Sequence, residues 1–281
     1  MYIKRTAVIG SGTMGADIAY VIANAGIPVV MKDIDANALD RARDHIAGVF
    51  QNRVGLGRLS SDGAQERQQL ITYTTESSDL GDISLAIEAV SENIDVKKRV
   101  FQELDRVLPP LSLLVSNTSA LSITELAEMT GRPERVAGFH FFFPAHRMKL
   151  IEVVSGNQTS FETLETLKRF AEEIRKVPVS VRECPGFVVN RVLMASMTEV
   201  LRFQQETNLP YQTIDQAIVK SGVAPMGPFV LADALGLDVA WEVALTLKAA
   251  YGERFDPGPQ LESLVSQGHL GLKSQHGFYP Y

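Results

Sequence analysis

Cysteine is almost missing from this chain: Cys184 stands alone among 281 residues, which excludes an internal disulfide and a cysteine-rich metal site. It reads as a structural thiol, and no metal is expected. No apolar run approaches the roughly 20 residues that a membrane-spanning helix requires. Basic excess is lacking too. The formal net charge is −6, which argues against a face built for nucleic acid, although a local basic pocket for a phosphate-bearing ligand is compatible with it. There are no repeats and no low-complexity segment. Ile3 already begins an apolar strand pattern, leaving no room for a signal or transit peptide, so a cytoplasmic protein is expected. Hydrophobic residues at 45% and charged residues at 21% suit a soluble globular protein with a sizeable core. The length exceeds the usual single domain, and one large domain with a smaller companion is the starting expectation.

What is present begins with Thr6-Ala7-Val8-Ile9, a buried-type strand running straight into Gly10-Ser11-Gly12-Thr13-Met14-Gly15. The pattern then turns helical over 16–24 and closes at Gly26. In that setting the first glycine permits a tight turn, the second lets a pyrophosphate approach the backbone, and the third allows helix and strand to pack closely. The helix N-terminus faces the phosphates. A second strand over 28–31 leads to Asp33, at the spacing where an acid takes both ribose hydroxyls and repels a 2′-phosphate, so NAD is favoured over NADP.

Further along, 38–53 and 64–70 read as helices around a glycine- and serine-marked turn. Strands follow over 85–90 and 113–116, each leading into a polar loop: Ser91-Glu92-Asn93 and Asn117-Thr118-Ser119. Ser122 with Glu125 forms a capping box. Open parallel sheets bind ligands at the carboxyl ends of their strands, so Glu92, Asn117 and Ser119 are expected to line one crevice with the glycines. Each is equally well explained as a cap or a turn residue. Strands alternate with helices as far as Val154, which gives an α/β, doubly wound Rossmann-type domain over 1–182. Glu183-Cys184-Pro185-Gly186 reads as a linker, and 183–281 as an all-α C-terminal domain. In its first helix Phe187, Asn190, Met194, Met197 and Leu201 share one face. Asn190 is the polar exception there, either bonded within the core or pointing into a cleft.

One stretch sets a histidine and a glutamate into an otherwise apolar and aromatic background: 136–141 and 150–154 read as short strands, broken apart by Pro144. Folding back about Ala145 and His146 in a register of constant index sum puts His140 opposite Glu152, with side chains about 5 Å apart. Such a carboxylate would fix one imidazole tautomer and stabilise the imidazolium, the arrangement of a general base and its orienter. A core histidine beside an edge-strand glutamate would give the same pattern.

Together these motifs resemble the L-3-hydroxyacyl-CoA dehydrogenase family, in its short 3-hydroxybutyryl-CoA form, over essentially the whole chain. The resemblance is carried by Gly10-Ser11-Gly12-Thr13-Met14-Gly15, Glu88-Ala89-Val90-Ser91-Glu92, Asn117-Thr118-Ser119, and His140-Phe141-Phe142 with Met148-Lys149-Leu150-Ile151-Glu152. It continues through Pro185-Gly186-Phe187-Val188-Val189-Asn190-Arg191, Pro225-Met226-Gly227-Pro228 and Gly277-Phe278-Tyr279. It implies reversible oxidation of an (S)-3-hydroxyacyl-CoA to the 3-oxoacyl-CoA with NAD, in fatty acid β-oxidation. His140 would be the base, Glu152 its orienter, Ser119 a contact to the reacting oxygen, and Asn190 a contact to His140 and substrate. Glu92, Lys97, Ser119 and Lys273 align with cofactor contacts. A homodimer through the helical domain is implied as well. Two positions depart from the family. Phe143 replaces an asparagine or serine, and the stretch after Ala47 lacks most of the lysines that meet CoA phosphates, leaving Arg53 and Arg58. A dehydrogenase of a free hydroxy acid, like those for carnitine or gulonate, and a non-catalytic NAD-binding module are the competing readings.

Overall fold

The structure, a computed structural model, describes residues 2–281. They form two compact units, one running to Glu183 and the other from Cys184 to Tyr281.

The first unit is built on eight strands: β1 (Thr6–Ile9), β2 (Val29–Lys32), β3 (Ile71–Thr74), β4 (Leu85–Glu88), β5 (Leu113–Ser116), β6 (Val136–Phe141), β7 (Leu150–Ser155) and β8 (Val177–Arg182). Their order is β3-β2-β1-β4-β5-β6-β7-β8. Every neighbouring pair is parallel except β6 with β7. β1, β2, β4 and β5 are buried along their whole length, which is why they read as continuous apolar runs rather than alternating ones. The helices between them are α1 (Thr13–Asn24), α2 (Ala36–Gly55), α3 (Ser61–Gln68), α4 (Ile94–Val107), α5 (Ile123–Ala127) and α6 (Phe161–Glu173). Polar residues start them where the sequence offers a cap: Asp35, Ser60, Asn93, Ser122 and Ser160 each accept from a first-turn N–H.

The chain leaves β1 to one side towards β2 and β3, and returns on the other side with β4 and β5. The sheet therefore reverses its order between β1 and β4, the place where such sheets bind ligands. Two strands exceed the sequence expectation. β3 is short and half-polar, and β8 shows only Val181 buried, so neither carries the apolar run by which a strand announces itself.

The connection from β6 to β7 is anchored by buried polar groups. Asp17, fully buried on α1, receives His45 Nε2 on one oxygen and His146 Nδ1 on the other, both at 2.9 Å. Lys176 reaches the same connection from the far side, donating to the carbonyls of Ala145 at 2.5 Å and Met148 at 2.7 Å.

The second unit holds α7 (Val189–Thr207), α8 (Tyr211–Lys220), α9 (Pro228–Leu235), α10 (Leu237–Tyr251) and α11 (Gly258–Ser266). Their core includes Met194, Met197, Leu201, Phe229 and Leu247. Phe187 does not belong to the first helix as expected. The chain passes through left-handed conformations at Gly186 and Phe187, with φ 71° and 48°, and α7 starts only at Val189. Buried Asp215 takes the place of a cap on α9, accepting from the N–H groups of Phe229 and Val230, and buried Asp233 accepts from those of Phe278 and Tyr279 in the C-terminal tail. Tyr279 and Tyr281 donate their hydroxyls to the same two carboxylates and tie down the end of the chain. Among the described residues no helix is long and apolar enough to cross a membrane.

Candidate active site

The glycine loop sits at the reversal point. Gly10, at φ 102°, lies so close to the β4 turn that a Cβ would stand 2.6 Å from the Ala89 carbonyl oxygen. A Cβ on Gly15 would come within 1.9 Å of the Gly10 carbonyl oxygen. These two glycines hold the loop against itself. Gly12 differs, because a Cβ there would meet nothing within 4 Å. It is the N-cap of α1, where no side chain caps the first turn and the space beside Gly12 is open. That cradle fits a pyrophosphate. Asp33 closes it, with one oxygen accepting from both the N–H and hydroxyl of Ser11 at 2.7 Å and the other from the Asp35 N–H at 3.1 Å. Burial pushes the Asp33 pKa up, but these hydrogen bonds outweigh it and hold the carboxyl below its ordinary range. It is an ionised acceptor at neutral pH, suited to a ribose diol and hostile to a 2′-phosphate.

Past the same edge of the sheet, His140 and Glu152 pair across β6 and β7 in the expected register. His140 Nδ1 lies 2.8 Å from Glu152 Oε2, with both residues buried. An ionised carboxylate only accepts, so Nδ1 carries the proton and Nε2 is left as the basic nitrogen. The Ser119 hydroxyl stands 3.2 Å from Nε2, and the Phe142 ring packs against the imidazole with centroids 4.6 Å apart.

The loop carrying Ser119 is fixed from several directions. Glu92 Oε1 accepts from the Thr118 hydroxyl at 2.5 Å and the Ser119 N–H at 2.9 Å. Asn117 turns its carbonyl to the Phe141 N–H at 2.8 Å, extending the β5–β6 ladder by one bond. Lys97 is only 1% exposed, its ammonium bound to Glu88 at 2.6 Å and to Glu92 at 3.2 Å. The sequence reading gave Glu88 no role. Its signal was a carboxylate ending an apolar strand, which needs a partner when buried.

The structure thus brings together the loop 10–15, Asp33, Glu92, Ser119, His140 and Glu152. It does not bring Arg53 and Arg58 to them. Arg53 lies in the last turn of α2, roughly 25 Å along the helix from its start at about 1.5 Å per residue. It donates to the Tyr20 hydroxyl at 3.4 Å, and its Nε is buried without an acceptor. Arg58 is exposed just beyond the helix. Phe143 is 58% exposed. In the helical unit Asn190 is half-buried in the first turn of α7, and Lys273 pairs with Asp238.

A dinucleotide cradle beside a carboxylate-oriented imidazole defines a nicotinamide-dependent dehydrogenase. Residues 5–184 match the family described as "3-hydroxyacyl-CoA dehydrogenase, NAD binding domain", and residues 186–281 match "3-hydroxyacyl-CoA dehydrogenase, C-terminal domain". The chain belongs to the 3-hydroxyacyl-CoA dehydrogenase family. It is 41% identical over 281 residues to the 3-hydroxyadipyl-CoA dehydrogenase of Escherichia coli K12, covering 99% of this chain and 59% of that protein. It is 38% identical to the 3-hydroxybutyryl-CoA dehydrogenase of Clostridioides difficile, covering 99% of each. The crystal structure of (S)-3-hydroxybutyryl-CoA dehydrogenase PaaH1 from Ralstonia eutropha matches with a TM-score of 0.96 at 32% identity, again over 99% of each chain.

Proposed function

We infer that this protein oxidises (S)-3-hydroxyacyl-CoA to 3-oxoacyl-CoA reversibly, with NAD as the partner oxidant. The observation that carries the reading is the buried His140–Glu152 pair with Ser119 at the basic imidazole nitrogen, set at the same sheet edge as the glycine cradle. When bound, NAD supplies the hydride acceptor at its nicotinamide ring. His140 Nε2 takes the proton of the substrate hydroxyl as the carbonyl forms. Glu152 keeps the other proton on Nδ1 and offsets the charge of the imidazolium. Ser119 donates to the reacting oxygen, and Asp33 accepts from the adenosine ribose. Asn190 as a substrate contact and Lys273 as a cofactor contact are proposed on the family resemblance alone. A cytoplasmic homodimer taking part in fatty acid oxidation is the setting that resemblance supports.

A second reading, in which the substrate is a free hydroxy acid, is favoured by one observation. Of the two arginines available for CoA phosphates, Arg53 is already engaged with Tyr20. NADH oxidation tests both readings across acetoacetyl-CoA, longer 3-oxoacyl-CoA thioesters and 3-oxoadipyl-CoA, with the corresponding free acids as controls. Turnover of a thioester at low concentration and not of its acid supports the first reading. The reverse preference establishes the second, and NADH binding without any turnover removes both.

A further inference from the structure

Ser119 is held from beneath by a pair of charges that the proton transfer itself does not use. Glu88, the last residue of β4, is fully buried, and so is Lys97 in the first turn of α4. The Lys97 ammonium donates to Glu88 Oε1 at 2.6 Å, to Glu92 Oε2 at 3.2 Å and to the Val90 carbonyl at 3.3 Å. Glu88 also accepts from the Val90 N–H at 2.7 Å and, through its other oxygen, from the Ser116 hydroxyl at 2.5 Å.

Two separate routes run from this pair to the reacting groups. In the first, Lys97 orients Glu92, whose Oε1 accepts from the Thr118 hydroxyl and the Ser119 N–H. In the second, Glu88 orients Ser116, whose hydroxyl oxygen accepts from the Thr118 N–H at 3.1 Å. Both end on the turn that carries the Ser119 hydroxyl to His140 Nε2. A buried ion pair is weak evidence for stability, because apolar side chains of similar volume fill such space at little or no loss. What apolar residues cannot supply is direction: fixed carboxylate acceptors, on Glu88 and Glu92, for two N–H groups and two hydroxyls at the ends of β4 and β5.

We propose that Glu88, Lys97 and Ser116 are positioning residues that set Ser119 against His140, Lys97 acting from inside the protein through Glu92. The inference rests on the dehydrogenase reading. Its content is that they serve the reaction through the Ser119 hydroxyl, so their effect vanishes when that hydroxyl is absent.

The test is a double-mutant cycle in the full-length protein, with acetoacetyl-CoA and NADH. Ser116→Ala and Lys97→Met are made in the wild type and again in a Ser119→Ala background. In the wild type, Ser116→Ala is expected to lower kcat about 3- to 10-fold, the worth of the neutral bond from the Thr118 N–H to its hydroxyl oxygen, the one of its two bonds that reaches the Ser119 turn. The KM for NADH should stay within about twofold. In the Ser119→Ala background the same change should cost less than about twofold, the resolution of such cycles. Lys97→Met should show the same loss of kcat and the same dependence on the Ser119 hydroxyl. If it fails to fold, Ser116→Ala, which leaves the ion pair in place, carries the test alone. Equal fractional losses in both backgrounds overturn the proposal and reduce these residues to scaffold, as does a Ser119→Ala or Ser116→Ala enzyme with wild-type kcat. Active wild type with additive losses leaves the dehydrogenase reading standing, whereas inactive wild type removes both.

Discussion

His140 and Glu152 are directly opposed across the one antiparallel pair of the sheet, with Nδ1 and Oε2 2.8 Å apart. The opposition follows from chain geometry: β6 and β7 share a single connection, and a slip of one residue between them would leave the two side chains on opposite faces of the sheet. His140→Gln is therefore expected to lower kcat roughly 10²- to 10⁴-fold, the usual worth of a positioned base. NADH affinity, measured by fluorescence titration, should be almost unchanged. Glu152→Gln should be nearly as damaging, since an amide can leave the imidazole in the wrong tautomer and does not stabilise its charged form. Wild-type turnover in either variant would remove the dyad from the reaction.

Two glycines of the nucleotide loop should fail in different ways. Gly15→Ala drives a Cβ to within 1.9 Å of the Gly10 carbonyl oxygen, a clash that only movement of α1 or the loop relieves. A clear fall in thermal midpoint is expected, by several degrees if the strain reaches about 2 kcal/mol. At Gly12 the new methyl meets no protein atom. Gly12→Ala should keep the wild-type midpoint and lose NAD affinity, because the methyl occupies the space proposed for the pyrophosphate. Equal midpoint losses at both positions would show that Gly12 serves the fold and not the ligand.

The glycine loop, Asp33 and the His140–Glu152 register were legible in the sequence because each depends on local rules: a spacing, a turn, a two-residue period. The supports around them were not. Asp17 meets His146 from 129 positions away, and Thr124 meets Glu183 from 59. No periodicity reports which buried carboxylate will find which donor. Lys97 aligns with a cofactor contact of the family, and no pattern in the sequence reports that its ammonium also pairs with Glu88, nine residues back at the end of the preceding strand. β8 was missed for a related reason. It is held by its hydrogen bonds to β7 while most of its side chains stay in solvent.

Asp33 gives a prediction about cofactor choice. Its carboxylate is kept ionised by the Ser11 and Asp35 donors despite partial burial, so charge repulsion against a 2′-phosphate persists across the neutral range. Asp33→Ser should weaken NAD by roughly 10- to 100-fold, as expected for hydrogen bonds to a charged acceptor, and narrow the gap between NAD and NADP. Because the folded-state pKa lies below the free value, Asp33 contributes stability that is complete above the free value of 3.8 and fades as pH falls through the lower folded one. Unchanged discrimination between the two cofactors in the variant would take the ribose contact away from Asp33.

Lys176 should make stability rise on the alkaline side. Burial lowers its pKa from 10.5 to about 8, against the opposing pull of the Asp17 carboxylate, while its nitrogen serves the carbonyls of Ala145 and Met148. Below about pH 8 both folded and unfolded chains carry the proton, and the folded chain bears the cost of a buried ammonium. Between about 8 and 10.5 the unfolded chain still binds the proton while the folded chain has released it. Stability increases wherever the unfolded state holds more protons, so this cost is lifted progressively as pH climbs through that window. The neutral amine keeps two N–H donors for the two carbonyls, so deprotonation need not free the connection between β6 and β7. Urea unfolding of wild type and Lys176→Met at a series of pH values isolates the contribution. The wild-type free energy minus that of the variant should be flat below pH 7, rise between about 8 and 10.5, and level off beyond. A difference that falls over the same window would mean that Asp17 and the two carbonyls hold the ammonium more strongly than burial expels it.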